Sequence, residues 1–441
     1  MSRERDRIAK KREKNPVAEC NKIQKKFYPE LFSKFEGVND PRHQGYVEYS
    51  SREMLGTLYY KGIAGISSMR RMTREFNDEN VVENLYGFIG GKQKNYLPHG
   101  VTENEFLERL NPSELEAVQK DIAYQMIRRK TFDDAKVMGY WLVLVDGTEL
   151  DEGTQKKNDN YLQRVYNRGE ANEISKYHRS VLEAKIYFGN SLVCSIATEM
   201  IENTPENQGK KLTEESIKQD CESKAFERLA EKIKRNFPRL HICIVADALY
   251  VTHAVLDICK RNGWKYIIRY KEGSAPSIEM EYHAIPEKQA SENVEYVNGV
   301  LFGKDEVNVL KYKEMKIKKG KEITTDFAWI TSFEITAKKA GKLVQAGRNR
   351  WKIENQGFNR QKNWQGDIEH ACSWNERAQK NHYLMEQIAD FMKQLYEYFF
   401  LQKNEIKKEQ KNISSELLAS FGRHLTGEDI SAVDMHSIQK D

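Results

Sequence analysis

Three carboxylates in this 441-residue sequence are placed where side chains could do chemistry on phosphate. Asp146 ends the apolar run YWLVLVD, Asp247 ends LHICIVAD, and Glu354 is the one acid within RWKIENQGFNRQKN. Both apolar runs are typical of buried strands, and the carboxyl ends of neighbouring strands in an open α/β sheet meet at one edge. The pattern predicts that Asp146 and Asp247 face each other across a crevice.

The stretch around Glu354 predicts a helix that would hold a polyanion. Arg350 lies four residues before Glu354 and would point in the same direction on a helix. Trp351, Arg360 and Lys362 add a stacking surface and positive charge. Since phosphate contacts need only donors and positive charge, we expect these residues to hold a DNA strand against Glu354.

Chemistry on phosphate would in addition need a metal ion. Mg²⁺ binds through a few carboxylate oxygens and keeps several waters. Two such ions about 3.5–4 Å apart activate the attacking oxygen and stabilise the leaving one. Two carboxylates from strand ends and one from a helix would bridge such a pair, so Asp146, Asp247 and Glu354 are the predicted ligands, with Mn²⁺ as an expected substitute for Mg²⁺.

Simpler interpretations of the same residues stay open at this point. An Asp after a buried strand often only caps the next helix, and Arg350 with Glu354 would form an ordinary surface ion pair. Asp367 or Glu369 would replace Glu354 as third ligand if the helix register differed. Glu149 and Asp151 are similar reserves beside the first strand, whereas His370 and Cys372 are interpreted as loop residues and not as metal ligands.

The amino-acid composition excludes several classes of protein. Basic and acidic residues number 71 and 66, a formal charge of +5, so any preference for nucleic acid depends on how charge is distributed. None of the six cysteines forms a CxxC pair, which argues against a zinc knuckle and a disulfide framework and favours a reducing cytosol. No stretch approaches the roughly 20 apolar residues of a membrane helix, so we expect a soluble protein that is not secreted.

The three acids also carry a family resemblance. Asp146 in LVDGT, Asp247 in IVADALY and Glu354 in RWKIENQGF resemble the catalytic triad of DDE transposases of bacterial insertion sequences, in the IS4-like group with a ribonuclease-H-like catalytic core. The resemblance covers about residues 138–392. In that group a β insertion separates the second Asp from the Glu, and the separation of 107 positions between Asp247 and Glu354 leaves room for one.

The signature around the third acid of that group is Tyr-x2-Arg-x3-Glu-x6-Lys. Arg350 matches the signature Arg, but Gly347 occupies the Tyr position. Gln361 occupies the Lys position, and Lys362 follows it by one residue, about 80° further round an α-helix. The role of the Arg therefore transfers to this chain, that of the Tyr does not, and that of the Lys is left open.

The resemblance implies a fold and a division of the chain. The fold class is α/β, with a ribonuclease-H-like mixed sheet flanked by helices and interrupted by a β-rich insertion, plus a helical N-terminal domain and a helical C-terminus. The expected parts are a DNA-binding domain with a basic arm (1–137), the first part of the core (138–270), the β-rich insertion (271–325), the second part of the core (326–400) and a C-terminal helical tail (401–441).

The resemblance also implies cut-and-paste transposition. Such an enzyme binds double-stranded DNA at terminal inverted repeats, cleaves it with Mg²⁺ and joins the freed end to target DNA, working as a homodimer in the bacterial cytoplasm at the nucleoid. Arg350, with Arg360 or Lys362, would contact phosphates. Two alternatives are a catalytically silent DNA-binding descendant of a transposase and a ribonuclease-H-like nuclease without strand transfer.

Overall fold

The computed structural model is an α/β protein built on one mixed sheet. It describes residues 14–204, 219–271, 273–291, 293–318, 321–425 and 427–431. Apolar side chains from alternate strand positions form two large clusters, one on each face of the sheet, and Leu150, Val181 and Tyr383 form a third, small cluster. Within these ranges, no helix combines the length and apolar character needed to cross a membrane.

The N-terminal part of the chain is helical, as the sequence predicts. Its helices are α1 (Pro16–Phe27), α2 (Leu31–Glu36), α3 (Ser51–Ile63), α4 (Met69–Glu75), α5 (Glu79–Ile89), α6 (Gly100–Arg109) and α7 (Pro112–Ile127), with 3₁₀ turns at Gln44–Tyr46 and Lys130–Ala135. The dipeptide Asn111-Pro112 predicts the start of a helix, and the start is confirmed because the Asn111 side chain accepts a hydrogen bond from the backbone of Ser113. Residues 1–13 of the expected basic arm lie outside the described residues.

Among the described residues, ten strands form the sheet. They are β1 (Trp141–Gly153), β2 (Leu162–Tyr166), β3 (Ile174–Tyr187), β4 (Val193–Ile201), β5 (Ile242–Ala246), β6 (Lys265–Tyr270), β7 (Gln289–Ser291), β8 (Val294–Phe302), β9 (Asp305–Lys318) and β10 (Lys321–Thr331). Their order is β2-β3-β1-β5-β6-β10-β9-β8-β7, and β4 also pairs with β3. The β1–β5 and β5–β6 pairs are parallel, and the remaining pairs are antiparallel.

The dipeptide Gly189-Asn190 between two strand-like runs predicts a hairpin. The hairpin is confirmed, with β3 and β4 antiparallel and both turn residues at positive φ.

The predicted β-rich insertion differs in detail from expectation. The segment 271–325 contains a helix as well as strands, and the expected boundary at 325 falls inside β10. That strand is continuous because its pairing with β9 runs unbroken from Lys321 to Thr331, and its last residues also pair with β6. The strands β7 to β9 therefore extend the main sheet.

The other helices cover the sheet and fill the space between it and the N-terminal helices. They are α8 (Glu222–Asn236), α9 (His253–Asn262), α10 (Pro276–Ala284), α11 (Ala337–Arg348), α12 (Asn359–Asn363), α13 (Glu376–Tyr396), α14 (Gln410–Phe421) and α15 (Gly427–Ser431). The sequence predicts a helix over 213–235, and the first six of those residues, 213–218, lie outside the described residues. The sequence predicts a long amphipathic helix over 375–400. The helix α13 confirms the prediction of a helix there, but it is central and not at the surface, since it contacts α1, α3, α6, α7 and β4.

Candidate active site

The first two predicted acids are neighbours on adjacent parallel strands. Leu144 of β1 lies opposite Val245 of β5, so two residues further along each strand Asp146 lies beside Asp247. β5 ends just before Asp247, as predicted, and the Asp247 carboxylate accepts a hydrogen bond from the Leu249 backbone at 2.9 Å. Asp247 therefore makes the capping contact considered above, and it also lies beside Asp146.

Asp146 is not at the end of its strand, which corrects the expectation from the sequence. β1 continues to Gly153 because the antiparallel β3 supports it well past this point, with Asp146 opposite Glu183. Alternation along the strand still fixes the direction of the side chain. Leu142 and Leu144 belong to the apolar cluster under α11, and Asp146 therefore projects from that same face of the sheet.

Arg350 connects the first acid to the third. One guanidinium nitrogen, Nη1, lies 3.1 Å from Asp146 Oδ2, and Nη2 lies 3.3 Å from Glu354 Oε2. The Asp146 side chain is 17% exposed, whereas that of Glu354 is 50% exposed. The Arg350–Glu354 contact is thus more than a surface ion pair, because the same guanidinium also holds a largely buried carboxylate from the central sheet.

The predicted α-helix around Glu354 is interrupted. Ile353–Phe358 forms a π-helical segment between a short helical turn and α12. A π segment closes i→i+5 hydrogen bonds and so inserts a residue relative to an α-helix, and such segments are frequent at functional sites. Gln361 consequently points inward and donates to Asp390 at 2.8 Å, while Lys362 Nζ donates to the Glu149 carbonyl of β1 at 3.0 Å.

The pKa of Asp146 is affected by its burial and by several nearby charged groups. Burial raises its pKa to about 7, against the lowering effect of Arg350, and Asp247, Glu222 and Glu354 raise it further. A group of like charges around a largely buried acid is a donor set that a cation would neutralise. Within the described ranges, however, no group of three or more His, Cys, Asp or Glu side chains is arranged to hold a metal ion.

Glu222 is a site residue that the sequence analysis missed. Tyr250 donates its hydroxyl hydrogen to Glu222 Oε2 at 3.0 Å. A Cβ on Gly147 would come within 2.5 Å of Glu222 Oε1, so the absence of a side chain at Gly147 admits this carboxylate beside Asp146. The only signal in the sequence is an acid in the first turn of a helix, which ordinarily just complements the helix dipole.

The residues predicted to contact DNA differ in their exposure. Trp351 is 40% exposed, and Lys352 Nζ lies 4.4 Å from the centroid of its ring, so this residue is accessible near Glu354. The expectation that Arg360 contacts phosphate is corrected by its burial. Its guanidinium pairs with Asp390 at 2.5 Å and with Glu397 at 2.6 Å, so it faces the protein interior.

Lys362 and the reserve acids take part in other contacts. Lys362 Nζ pairs with Glu369 at 2.7 Å, in addition to its bond to the backbone of β1. Glu149 pairs with Arg164 at 3.0 Å, and Asp151 pairs with Arg179, also from the sheet, at 2.5 Å. These acids therefore have cationic partners of their own, and Lys362 is partly engaged within the protein.

The sequence of this chain was compared with those of known protein families. Residues 218–385 match the model of the transposase DDE domain family. The match supports a DDE transposase. It covers less than half of the chain and includes Glu222, Asp247, Arg350 and Glu354, while Asp146 lies before it. No curated protein matches the chain. DDE transposases are DNA-binding enzymes that cleave and transfer DNA strands, generally with divalent metal ions.

Proposed function

We propose that this protein is a Mg²⁺-dependent DDE transposase of the IS4-like group, which excises a bacterial insertion sequence at its terminal inverted repeats and joins it to target DNA. The observation that carries the proposal is the meeting of three distant acids. Asp146 and Asp247 lie side by side on parallel strands, and Arg350 ties Glu354 to Asp146. Phosphodiester chemistry on two metal ions uses carboxylate ligands of this kind, which supports the proposal.

The residues fit a hard divalent cation. Their donors are carboxylate oxygens, which Mg²⁺ prefers, with Mn²⁺ as a substitute. Asp146, Asp247 and Glu354 would hold the metal, two ions in all, with Glu222 beside them. A bound divalent ion activates a water or a 3′-hydroxyl toward phosphate. Arg350 already occupies the gap between two of the carboxylates, so a positive charge is stabilised at that position.

The order of strands supports a ribonuclease-H-like core. Three antiparallel strands, β4, β3 and β1, are followed in the sheet by the parallel strands β5 and β6. In this proposal β7 to β10 include the β-rich insertion, the N-terminal helices bind DNA, and the five-part division stays a prediction. A homodimer would bring two element ends together in the bacterial cytoplasm, at the nucleoid.

The test is cleavage of a labelled DNA duplex that carries the native element end, with Mg²⁺ and with EDTA. Wild type is compared with Glu354→Gln and with a matched control, Glu369→Gln, whose side chain is equally 50% exposed. We expect nicking at the element boundary with Mg²⁺ in wild type and in the control, and none in Glu354→Gln. Cleavage that survives in Glu354→Gln would remove this residue from the site.

A DNA-binding descendant that no longer cuts is the second candidate. The observation that favours it is the position of Arg350 among acids that are not gathered into a metal-holding group within the described residues. Sequence-specific binding of the element end by wild type without nicking would establish this candidate. A nuclease without strand transfer would cut the duplex but never join the product to a target plasmid.

A further inference from the structure

Arg269 continues the row of site residues onto a third strand. In the parallel pair of β5 and β6, Ala246 lies opposite Ile268, so the next residues, Asp247 and Arg269, lie side by side. Asp146 of β1 is the neighbour of Asp247 on the other side. Two acids and one Arg therefore stand in one row across three parallel strands, at the edge where ligands of open α/β sheets bind.

The side chain of Arg269 projects from the same face as the two acids. Ile267, two residues earlier on β6, belongs to the apolar cluster under α11, together with Leu144 and Val245. Side chains two residues apart on a strand share a face. Arg269 is therefore directed toward the space beneath α11 and Arg350, and not toward the opposite layer of helices.

Arg269 differs from the other Arg side chains of the site in its partners. Arg350 is paired with two carboxylates, and Arg348 is paired with Glu314. Within the described part of the chain, the Arg269 side chain forms no hydrogen bond or ion pair, and its buried Nε has no partner. The guanidinium carbon of Arg269 lies 5.0 Å from the centroid of the Phe327 ring.

The surroundings of Arg269 favour an incoming anion. Burial lowers the pKa of its guanidinium, the charge of Arg350 lowers it further, and Asp247 raises it. The group stays charged, since an Arg side chain does not lose its proton in proteins. A partly buried cation without a bonded anion is costly, and an aromatic face offsets only part of that cost.

We infer that Arg269 is a phosphate-binding residue of the active site, whose guanidinium donates to the non-bridging oxygens of a DNA phosphodiester beside the bond that is cut. The planar guanidinium offers paired N–H donors that match two phosphate oxygens. The inference rests on the proposed function, because the phosphate must belong to DNA laid across the carboxylates. It also gives the site a phosphate contact in place of the buried Arg360.

The test compares Arg269→Ala with Arg239→Ala, a control at an exposed position that precedes β5 and so lies toward the opposite edge of the sheet. A fluorescent duplex with the element end is titrated in Ca²⁺ over a range of NaCl concentrations. Loss of one phosphate contact reduces the slope of log K against log salt by about 0.9. We expect this reduction, and at least tenfold slower cleavage in Mg²⁺, in Arg269→Ala but not in the control, with partial recovery in Arg269→Lys.

A wild-type slope and cleavage rate in Arg269→Ala would overturn the inference. A loss of thermal stability alone, with slope and rate unchanged, would likewise overturn it by assigning Arg269 a structural role. The rise in Tm on adding Mn²⁺ should persist in Arg269→Ala, which shows that the carboxylates are intact. If wild type binds the duplex but does not cut it, the proposed function fails, while the difference in salt slope still decides the role of Arg269.

Discussion

Replacing Asp146 with Asn should stabilise the metal-free protein at neutral and alkaline pH. The folded-state pKa of Asp146 is raised from 3.8 to about 7, chiefly by burial, which acts against the lowering effect of Arg350, and three nearby carboxylates add to the rise. A shift of one pKa unit corresponds to about 1.4 kcal/mol, so ionisation of Asp146 lowers the free energy of unfolding by on the order of 4 kcal/mol. The Asn side chain has nearly the same shape and never ionises.

The sign of the shift fixes the pH window. Because the folded pKa lies above the unfolded one, the cost is absent below 3.8, grows as pH rises, and is complete above about 7. The stability gap between Asp146→Asn and wild type should therefore widen by about 2 kcal/mol between roughly pH 5.5 and 7. In a chain of this length that corresponds to a few degrees in Tm.

The assay is thermal unfolding in EDTA across this pH range, with Asp159→Asn as control because the Asp159 side chain is fully exposed. The control should show no change in Tm with pH relative to wild type. Adding Mn²⁺ at about pH 8 should raise the Tm of wild type more than that of Asp146→Asn, since the ion neutralises the crowded carboxylates. A gap that is constant with pH, or a less stable Asp146→Asn at pH 8, would refute this account of the site.

Two further substitutions test contacts that the tertiary structure creates. Gly147→Ala should displace Glu222, because the new Cβ would lie 2.5 Å from its carboxylate, and we expect a stability loss of roughly 1–3 kcal/mol and weaker Mn²⁺ binding by calorimetry. The double variant with Glu222→Ala should regain stability but not Mn²⁺ affinity, and unchanged affinity in both would place Glu222 outside the metal site. Arg360→Ala should cost about 3–5 kcal/mol in chemical denaturation, because Asp390 and Glu397 lose their buried partner. Normal stability with reduced DNA affinity would instead restore Arg360 as a DNA contact.

The local sequence pattern was sufficient to predict strands and helix starts and to select the candidate acids. The apolar runs before Asp146 and Asp247 do form neighbouring buried strands, and Asn111 does cap a helix. These features depend on residues adjacent in the chain, such as strand-forming side chains, turn glycines and capping groups. A one-dimensional pattern carries that information.

Long-range packing decided the composition of the site. The pairing of β3 carries β1 past Asp146, and a π segment turns Gln361 inward. Arg360 is buried against Asp390 of α13 and Glu397, which follows that helix. Strand register places Arg269 beside Asp247, and the packing of α8 against β1 at Gly147 places Glu222 near Asp146.

The physical reason for this division lies in the range of the interactions. Periodicity along a strand or helix fixes which side chains share a face, but it does not fix which charges meet across elements some hundred residues apart. Those contacts between charged side chains depend on strand register and on the desolvation of each charge. Both are set only when the whole sheet and its covering helices are assembled.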